Sequence, residues 1–288
     1  MDFILITNDA IRAGIAQDAG VDFVMVDLEI NGKVARQGHL NTVISRHTME
    51  DVARVRQVLR TSKLLVRVNP LFEGSKEEID QVAEMGADAI MLPMFTRPSE
   101  ASEFVSLVKQ RAEAWLLLET AAALVRVDDI LQVEGIDAIH VGLNDLHLSL
   151  GLNFMFEPLA HGFIDPLGRL VAACGVKLGI GGVARLGGGL LNARLVLSEH
   201  VRLGSRQVIL SRDFLQILEL PESEARTTLT YEISRLRAEV QRLRASSTDE
   251  LRENHRDLRE AVRTIVDARA KSANPNKALV PGTDLATQ

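Results

Sequence analysis

The sequence predicts an α/β fold, a (β/α)8 TIM barrel with a C-terminal helical extension. Short β-branched or apolar segments alternate with amphipathic helical segments up to about residue 214, which is typical of parallel strands joined by crossover helices. Polar residues follow four of the predicted strands, and a barrel brings such strand ends together at one central mouth. A doubly wound open sheet shares the alternating pattern and is the alternative architecture.

Eight segments have the length and composition of strands. They span residues 3–7, 22–27, 64–68, 89–92, 115–118, 138–141, 177–180 and 207–210. Amphipathic helices are predicted between them, for example over residues 48–59 and 75–85. The second of these begins with Ser75 and Glu78 at the spacing of a capping box. The repeated alternation favours a closed barrel.

The composition changes after Pro221, because no glycine occurs between residues 222 and 271. An apolar seam with heptad-like spacing follows, formed by Leu229, Ile233, Leu236, Val240 and Leu243. Ser247 and Glu250 then predict the capped start of another helix. The first helix is either the eighth barrel helix or an oligomer contact.

Three regions are therefore predicted. A catalytic barrel spans residues 1–218, a helical extension spans 219–271, and a flexible tail spans 272–288. The tail prediction rests on its proline-, glycine- and asparagine-rich sequence.

Composition and charge disfavour several classes of partner. A net charge of −6 provides no global basic field for nucleic acid or an anionic membrane surface. The apolar runs are far shorter than the roughly 20 residues that span a bilayer, and the first residues do not resemble a signal peptide. Cys174 is the only cysteine, which fits a reducing compartment, so we expect a cytoplasmic protein.

Two acidic residues end the second predicted strand. Asp27 and Glu29 are two positions apart, so the pleat places both side chains on one face. Their repulsion makes them costly to bury unless a cation, water or a proton compensates. A metal site would compensate them. Alternatively, they are solvated loop acids or ion-pair partners of Lys33 and Arg36.

Acids at two further strand ends suggest hard-metal ligands. Glu119 closes the apolar run 115–118, and Asp145 lies in a turn where Gly142 allows the backbone to approach a ligand closely. Carboxylate oxygens with water completing the coordination suit Mg²⁺ or Mn²⁺. The alternative for Asp145 is a helix N-cap or an Asx turn.

Four motifs resemble the pyruvate aldolase and citrate lyase β-subunit family, which includes 4-hydroxy-2-oxoheptanedioate aldolases. They occur in the family's order and spacing over residues 1–214, and the fourth is the most specific. The motifs are Val66-Arg67-Val68-Asn69-Pro70, Met91-Leu92-Pro93-Met94, Leu118-Glu119-Thr120, and the segment from Val141 to Gly151.

The resemblance implies a barrel of the phosphoenolpyruvate/pyruvate type, often homo-oligomeric, acting as a carbon-carbon lyase or aldolase. Its small-molecule substrate would be pyruvate or a related 2-oxo acid, handled through the enolate. The family pattern implies that Glu119 and Asp145 bind a divalent metal, with Mg²⁺ or Mn²⁺ expected. It also implies that Arg67 stabilises the oxyanion, consistent with the charge that grows as an enolate forms.

Further roles complete the predicted site. Asp27 and Glu29 join Arg67 as the predicted catalytic residues, with the two acids orienting the waters of the metal. The resemblance also implies that backbone groups of the Gly-X-X-Asp turn, which runs from Gly142 to Asp145, hold the substrate carboxylate. The predicted substrate-binding residues are Gly142, Leu143, Asn144 and Asn69.

The sequence departs from the aldolase pattern in two ways. The position of the family's proton-transfer histidine is Ile30, and an insert between strands four and five is missing. His39 and His47 lie in sequence after strand two, where either could replace the base or remain a surface residue. Other features lean towards acyl-CoA lyases of the malyl or citramalyl type, so that activity is an alternative. An inactive barrel serving as an assembly module is another.

Several other residues are candidates of lower priority. His147 could touch the site, whereas His140 is expected to be packed inside strand six. Glycines cluster after strand seven, where barrels often build phosphate sites, although they also simply permit tight loops. Arg185, Arg206 and Arg212 could contact an anionic tail of a ligand.

Overall fold

The predicted barrel is confirmed. In the computed structural model, which describes residues 1–31 and 47–273, eight parallel strands pair in sequence order and the eighth pairs with the first. The strands are β1 (Asp2–Ile6), β2 (Phe23–Asp27), β3 (Lys63–Arg67), β4 (Ala89–Leu92), β5 (Glu113–Leu118), β6 (Ala138–Val141), β7 (Lys177–Val183) and β8 (Gln207–Leu210). The largest difference from the prediction is β7, which continues through two glycines to Val183.

Alternate strand residues face the barrel interior and the helical layer. The interior cluster is formed by Ile4, Phe23, Met25, Leu65, Ala89, Met91, Trp115, Leu117 and Ala138. Neighbours such as Val24 and Val66 pack outwards in the larger cluster beneath the helices. Both faces of each strand are therefore buried, which explains why the strands read as continuous apolar runs.

The helices of the barrel wall follow the strands. They are α1 (Ala10–Asp18), α2 (Met49–Val58), α3 (Ser75–Glu84), α4 (Pro98–Val108), α5 (Ala121–Val125), α6 (Val127–Ile130), α7 (Leu143–Ser149), α8 (Glu157–Ala160), α9 (Asp165–Ala173), α10 (Ala193–Arg202) and α11 (Arg212–Ile217). Thr48 caps α2 through a capping box with Asp51. The predicted helix over residues 48–59 is therefore confirmed.

The predicted capping box of α3 is wrong. Gly74 is the N-cap, and Ser75 is the first helical residue. Glu78 turns away from the helix start to accept hydrogen bonds from the side chain and backbone of Asn69. A tertiary contact has displaced the local capping pattern.

Two long helices, α12 (Glu222–Arg244) and α13 (Thr248–Ala273), end the described part of the chain. Helix α12 packs against α1 and α10, so it fills the gap in the wall between them. All five seam residues, from Leu229 to Leu243, are buried against the chain's own barrel. This packing favours the eighth barrel helix among the two roles predicted for the seam.

The last helix packs outside the wall. Helix α13 lies against α8 and α10 and buries Leu258 and Val262. Ser247 Oγ accepts a hydrogen bond from the Glu250 backbone, as the capping pattern predicts. The helix continues to Ala273, slightly beyond the predicted start of the tail, and residues 274–288 lie outside the described part.

The amino end of the barrel is closed by charged side chains. Glu113 pairs with Lys63 and Lys177, each at 3.0 Å, and accepts a hydrogen bond from Trp115 Nε1 at 2.9 Å. The strand ends that carry the predicted functional residues lie at the opposite, carboxyl end. A barrel ligand is expected at that mouth.

Candidate active site

Arg67 lies at the centre of a charged group formed by neighbouring strand ends. Asp27 and Arg67 are paired in the β2–β3 register, and the carboxylate of Asp27 accepts two hydrogen bonds from the guanidinium, each at 2.8 Å. Glu29 Oε2 lies 3.4 Å from Arg67 Nη2. Asp27 and Glu29 therefore face the same way, and both are buried.

This arrangement fixes the arginine. Burial disfavours its charged form, but the Asp27 and Glu29 carboxylates outweigh that effect and raise the pKa of Arg67 above its usual value. The two acids are not solvated loop residues, because each is at most 2% exposed. The proposed partners Lys33 and Arg36 lie outside the described residues.

Glu119 is a buried carboxyl group at the end of β5. Burial raises its pKa to about 8, and the nearby Glu29 and Asp145 carboxylates add to the effect despite the opposing charge of Arg67. Glu119 Oε1 accepts a hydrogen bond from the Met94 backbone N–H at 3.1 Å. Met94 adopts a left-handed conformation with φ of 58°, which is unusual for a residue with a side chain.

Gly142 leaves room for this carboxylate. A Cβ atom at Gly142 would lie 2.8 Å from Glu119 Oε2 and 2.9 Å from Glu119 Cβ. Both contacts are shorter than side chains tolerate, so a larger residue would displace Glu119. The glycine of the Gly-X-X-Asp turn is thus required by a neighbouring strand.

Asp145 lies in the first turn of α7. The N-cap of this helix is Gly142, and Asp145 is its third helical residue, so Asp145 is not the N-cap. Asp145 is half-buried and close enough to Glu119 to influence its pKa. Leu143 and Asn144 precede it, and the backbone N–H groups of a first helical turn have no acceptor within their own helix.

The donor set fits a divalent cation. Among the described residues, the carboxyl groups of Asp27, Glu29 and Glu119 lie near the Arg67 guanidinium, and that of Asp145 lies near Glu119. The described residues contain no preformed group of three or more His, Cys, Asp or Glu ligands. Mg²⁺ and Mn²⁺ do not require one, because they are commonly bound by one or two carboxylates with substrate and water. A cation would also replace the proton that burial favours on Glu119.

The Asn69 side chain forms hydrogen bonds with two different segments near the site. Its Oδ1 accepts hydrogen bonds from the backbone N–H groups of Ile30 and Asn31, at 2.9 and 3.0 Å. Its Nδ2 donates to Glu78 Oε1 at 2.6 Å. Asn69 therefore ties the segment after Glu29 to α3, and its predicted contact with substrate stays a prediction.

The histidines occupy different environments. His47 is half-buried at the end of β2, where its Nδ1 accepts a hydrogen bond from the Asp27 backbone at 2.9 Å. His140 is fully buried inside the barrel, where burial lowers its pKa to about 3. His147 Nδ1 lies 3.2 Å from the Leu143 carbonyl within its own helix. His39 lies outside the described residues.

Sequence reasoning missed two contributions to the site. It gave no role to the backbone of Met94, although the residue lies in a quoted motif, because a positive φ leaves no signal at a methionine. It also missed the contact of Glu78 with Asn69, because the same spacing suggested a helix cap. The first contribution joins the ends of β4 and β5, and the second joins the end of β3 to helix α3.

Known proteins with related sequences or folds include aldolases and a citrate synthase. The 2-keto-3-deoxy-L-rhamnonate aldolase of Escherichia coli strain K12 is 26% identical over 211 residues, covering 62% of this chain and 73% of that protein. The HpcH/HpaI aldolase structure from Desulfitobacterium hafniense DCB-2 has a TM-score of 0.58 at 17% identity, covering 76% and 93% of the two chains. Citrate synthase SbnG has a TM-score of 0.57 at 19% identity, covering 76% and 89%.

One protein family matches this chain over a far longer stretch than any of the four motifs. It spans residues 3–157, which include the strand ends that bear Asp27, Arg67, Glu119 and Asp145. This is more than half of the 288 residues. The chain therefore belongs to the HpcH/HpaI aldolase/citrate lyase family.

Proposed function

We propose that this protein is a divalent-metal-dependent aldolase that makes or breaks a carbon-carbon bond through the enolate of pyruvate or a related 2-oxo acid. Membership of the family makes carbon-carbon lyase chemistry the shared activity. The observation that carries the proposal is the Glu119 carboxyl, which is buried against Gly142 and Met94 beside the immobilised Arg67.

Glu119 and Asp145 would hold the metal. Aldolases of this family depend on divalent metals in general, and oxygen ligands favour Mg²⁺ or Mn²⁺ here. When bound, the metal supplies Lewis-acid polarisation of the substrate's carbonyl oxygen. Glu119 contributes a carboxylate whose position is fixed by the Met94 N–H, so little reorganisation is required of it.

Arg67 would stabilise the negative charge that grows on the 2-oxo oxygen. Asp27 engages Nε and one Nη atom of the guanidinium, and Glu29 approaches the same Nη atom. This leaves the other end of the planar group to face a ligand. Donors held in place before the reaction stabilise developing charge most effectively.

The first turn of α7 would bind the substrate carboxylate. The backbone N–H groups of Leu143 and Asn144 begin that helix immediately beside Glu119. Asp27 and Glu29 would orient water at the metal while holding Arg67. Asn69 would support this arrangement by fixing the segment that follows Glu29.

Exchange of the pyruvate methyl protons with deuterated solvent tests the proposal, because it requires enolate formation but no second substrate. The purified protein should exchange these protons only when Mg²⁺ or Mn²⁺ is present, and addition of a chelator should stop exchange. No exchange with any divalent metal at high protein concentration would contradict the proposal.

The alternatives have less support. The related proteins are named as aldolases rather than acyl-CoA lyases, so the thioester activity is not favoured. Retention of coenzyme A by the purified protein would support the thioester activity instead. Failure to bind any divalent metal would instead favour the inactive assembly module.

We also propose that the protein is a cytoplasmic homo-oligomer. A cytoplasmic homo-oligomer agrees with the single cysteine and with the resemblance to oligomeric enzymes. Across residues 1–31 and 47–273, no helix has both the length and the apolar character needed to cross a membrane. The seam of α12 is buried within the chain, so an oligomer contact needs another surface.

A further inference from the structure

The ends of β7 and β8 bring together two polar side chains that the proposed chemistry does not use. The Ser211 backbone N–H donates to the Val183 carbonyl at 2.9 Å, so the two strand ends are directly joined. Arg185 lies two residues beyond the end of β7, and Ser211 follows β8 immediately. Barrels frequently bind anionic groups with the loops after these two strands.

Both side chains have buried polar atoms that lack partners. Arg185 Nε and Ser211 Oγ are inaccessible to solvent, and neither forms a hydrogen bond with a described residue. Ser211 precedes α11 as its N-cap, yet its hydroxyl makes no capping bond. Because a buried donor without an acceptor costs free energy, these atoms are expected to have a ligand as partner.

Arg185 also forms no ion pair within the described part of the chain. Asp213 is nearby, since a Cβ at Gly188 would lie 3.4 Å from its Oδ2 and 3.8 Å from Arg185 Cβ. Even so, Arg185 forms no ion pair with Asp213 or any other described acid. Because Arg185 has no ion pair with this nearby carboxylate, its guanidinium is available to bind an anionic ligand.

The other two arginines near these strands differ. Arg206 lies at the amino end of β8, where its backbone bonds to Asp2 and Leu178. It is exposed and faces the wrong end of the barrel for a ligand in the mouth. Arg212 is exposed and has an interaction of its own. Of the three candidates, only Arg185 is half-buried and has a buried donor atom, Nε, without a partner among the described residues.

Contacts link β7, the strand before Arg185, to the acids proposed to bind the metal. Gly142 lies against Glu119, and a Cβ at Gly181 would lie 3.2 to 3.3 Å from Leu143, the next residue after Gly142. Gly181 belongs to β7, the strand that leads to Arg185. The strand ends that carry the unpaired donors therefore belong to the same mouth, one strand beyond the turn proposed to bind the substrate carboxylate.

We propose that Arg185 and Ser211 bind a second anionic group, a carboxylate or a phosphate, at the far end of the substrate. The preferred substrate is then a 2-oxo acid with two anionic ends, one at the metal and one at Arg185. The identity of the first end rests on the proposed function, whereas the anion site itself does not. Charge-assisted hydrogen bonds from a guanidinium suit either anion.

Calorimetric titration of the Mg²⁺-loaded protein tests this site without requiring turnover. The probes are 2-oxobutyrate, which has one anionic end, and 2-oxoglutarate, which has two. We expect 2-oxoglutarate to bind at least about tenfold more tightly, because only its second carboxylate can accept charge-assisted hydrogen bonds from Arg185. Inorganic phosphate as a competitor distinguishes the two anions, because it weakens 2-oxoglutarate binding strongly only if the site accepts phosphate.

Variants separate the site from general effects. Arg185→Gln should abolish the preference for 2-oxoglutarate, and Ser211→Ala should reduce it severalfold. Arg185→Lys should retain part of it, because the charge remains while the planar fork is lost. The matched control Arg206→Gln should leave both affinities unchanged.

The outcomes are distinct from those of the proton-exchange experiment. A wild-type protein without the preference, or an Arg185→Gln protein that keeps it, overturns the anion site even if pyruvate protons exchange. A preference that depends on Arg185 supports the site even if no exchange occurs. If Arg185→Gln does not fold, the Ser211→Ala and Arg185→Lys variants decide by the same ratio of affinities.

Discussion

The two sides of the barrel mouth differ in how their polar groups are satisfied. On the β2–β6 side, Asp27 and Glu29 hold Arg67, and the Met94 backbone holds Glu119. On the β7–β8 side, Arg185 Nε and Ser211 Oγ are buried without partners among the described residues. The polar groups of the β2–β6 side are therefore preassembled, because they already bind one another. The β7–β8 side has buried polar atoms without such partners.

The family match follows the same division. Residues 3–157 contain the whole preassembled side, whereas Arg185 and Ser211 lie beyond the matched region. Catalytic groups must be held in place by their surroundings, while substrate recognition is commonly varied on a constant barrel. The proposed shared chemistry and the proposed substrate specificity therefore lie on opposite sides of this mouth.

The strongest test of the preassembled side is removal of a proposed metal ligand. Glu119→Gln or Asp145→Asn should abolish metal binding and lower the rate of proton exchange by about 1,000-fold or more, because a Lewis acid supplies several kcal/mol. Calorimetric metal titration and the exchange assay measure the two effects. The exposed acid Asp129 supplies a matched control, since Asp129→Asn should change neither. Unchanged metal affinity in both site variants would remove the assignment.

Arg67 provides the next largest expected effect. Arg67→Lys should retain metal binding but lower the exchange rate by roughly 100-fold, because an ammonium cannot hold Asp27 with two bonds and also face the oxyanion. The control is Arg56→Lys, which alters an arginine bound to Asp88 in the helical layer. Equal catalytic efficiency of Arg67→Lys and the wild type would refute the role.

Gly142 tests whether the position of Glu119 matters. Gly142→Ala should push the carboxylate aside and reduce activity about 10- to 100-fold, because small displacements of catalytic groups are costly. Gly14 in α1 is a matched control, since no atom lies within 4 Å of an added Cβ there. Gly14→Ala should keep activity and slightly raise the melting temperature. A fully active Gly142→Ala protein would show that the close contact is unimportant.

Most of the fold was predictable because its signals are local. Strands buried on both faces produce apolar runs, and acids such as Glu119 that close those runs mark the mouth. The contact of Asp27 with Arg67 was harder to foresee. It depends on the register of two strands. Asp27 occupies donors on one side of the Arg67 guanidinium, which the sequence suggested would contact the substrate.

The remaining features depend on contacts between distant segments. Glu78 has the spacing of a helix cap, yet it bonds to Asn69 because the strand end lies within reach. Ser211 resembles an ordinary residue before a helix, and only its burial without a partner distinguishes it. Such features follow from the assembled barrel rather than from any local pattern.

The last expected effect concerns stability rather than activity, namely the cost of burying the Glu119 carboxyl on the preassembled side. In the folded, metal-free protein the Glu119 carboxyl keeps its proton up to about pH 8, whereas its usual pKa is 4.5. Between these values the folded state binds more protons than the unfolded state, so the free energy of unfolding falls as pH rises. This contribution is fully present below about pH 4.5 and is lost as pH approaches 8.

Glutamine at position 119 cannot ionise and should remove this pH dependence. Chemical denaturation of the metal-free proteins should therefore show Glu119→Gln to be more stable than the wild type at pH 8.5, by on the order of a few kcal/mol. The advantage should shrink towards pH 5, where both side chains are neutral in the folded state. Glu134→Gln, at an exposed position, should follow the wild-type curve. Saturating Mg²⁺ should stabilise the wild type more than Glu119→Gln, since only the wild type keeps both ligands. If the free energies of unfolding of the wild type and Glu119→Gln changed in parallel with pH, the buried carboxyl would carry no such cost. That result would weaken the proposal that Glu119 binds a cation.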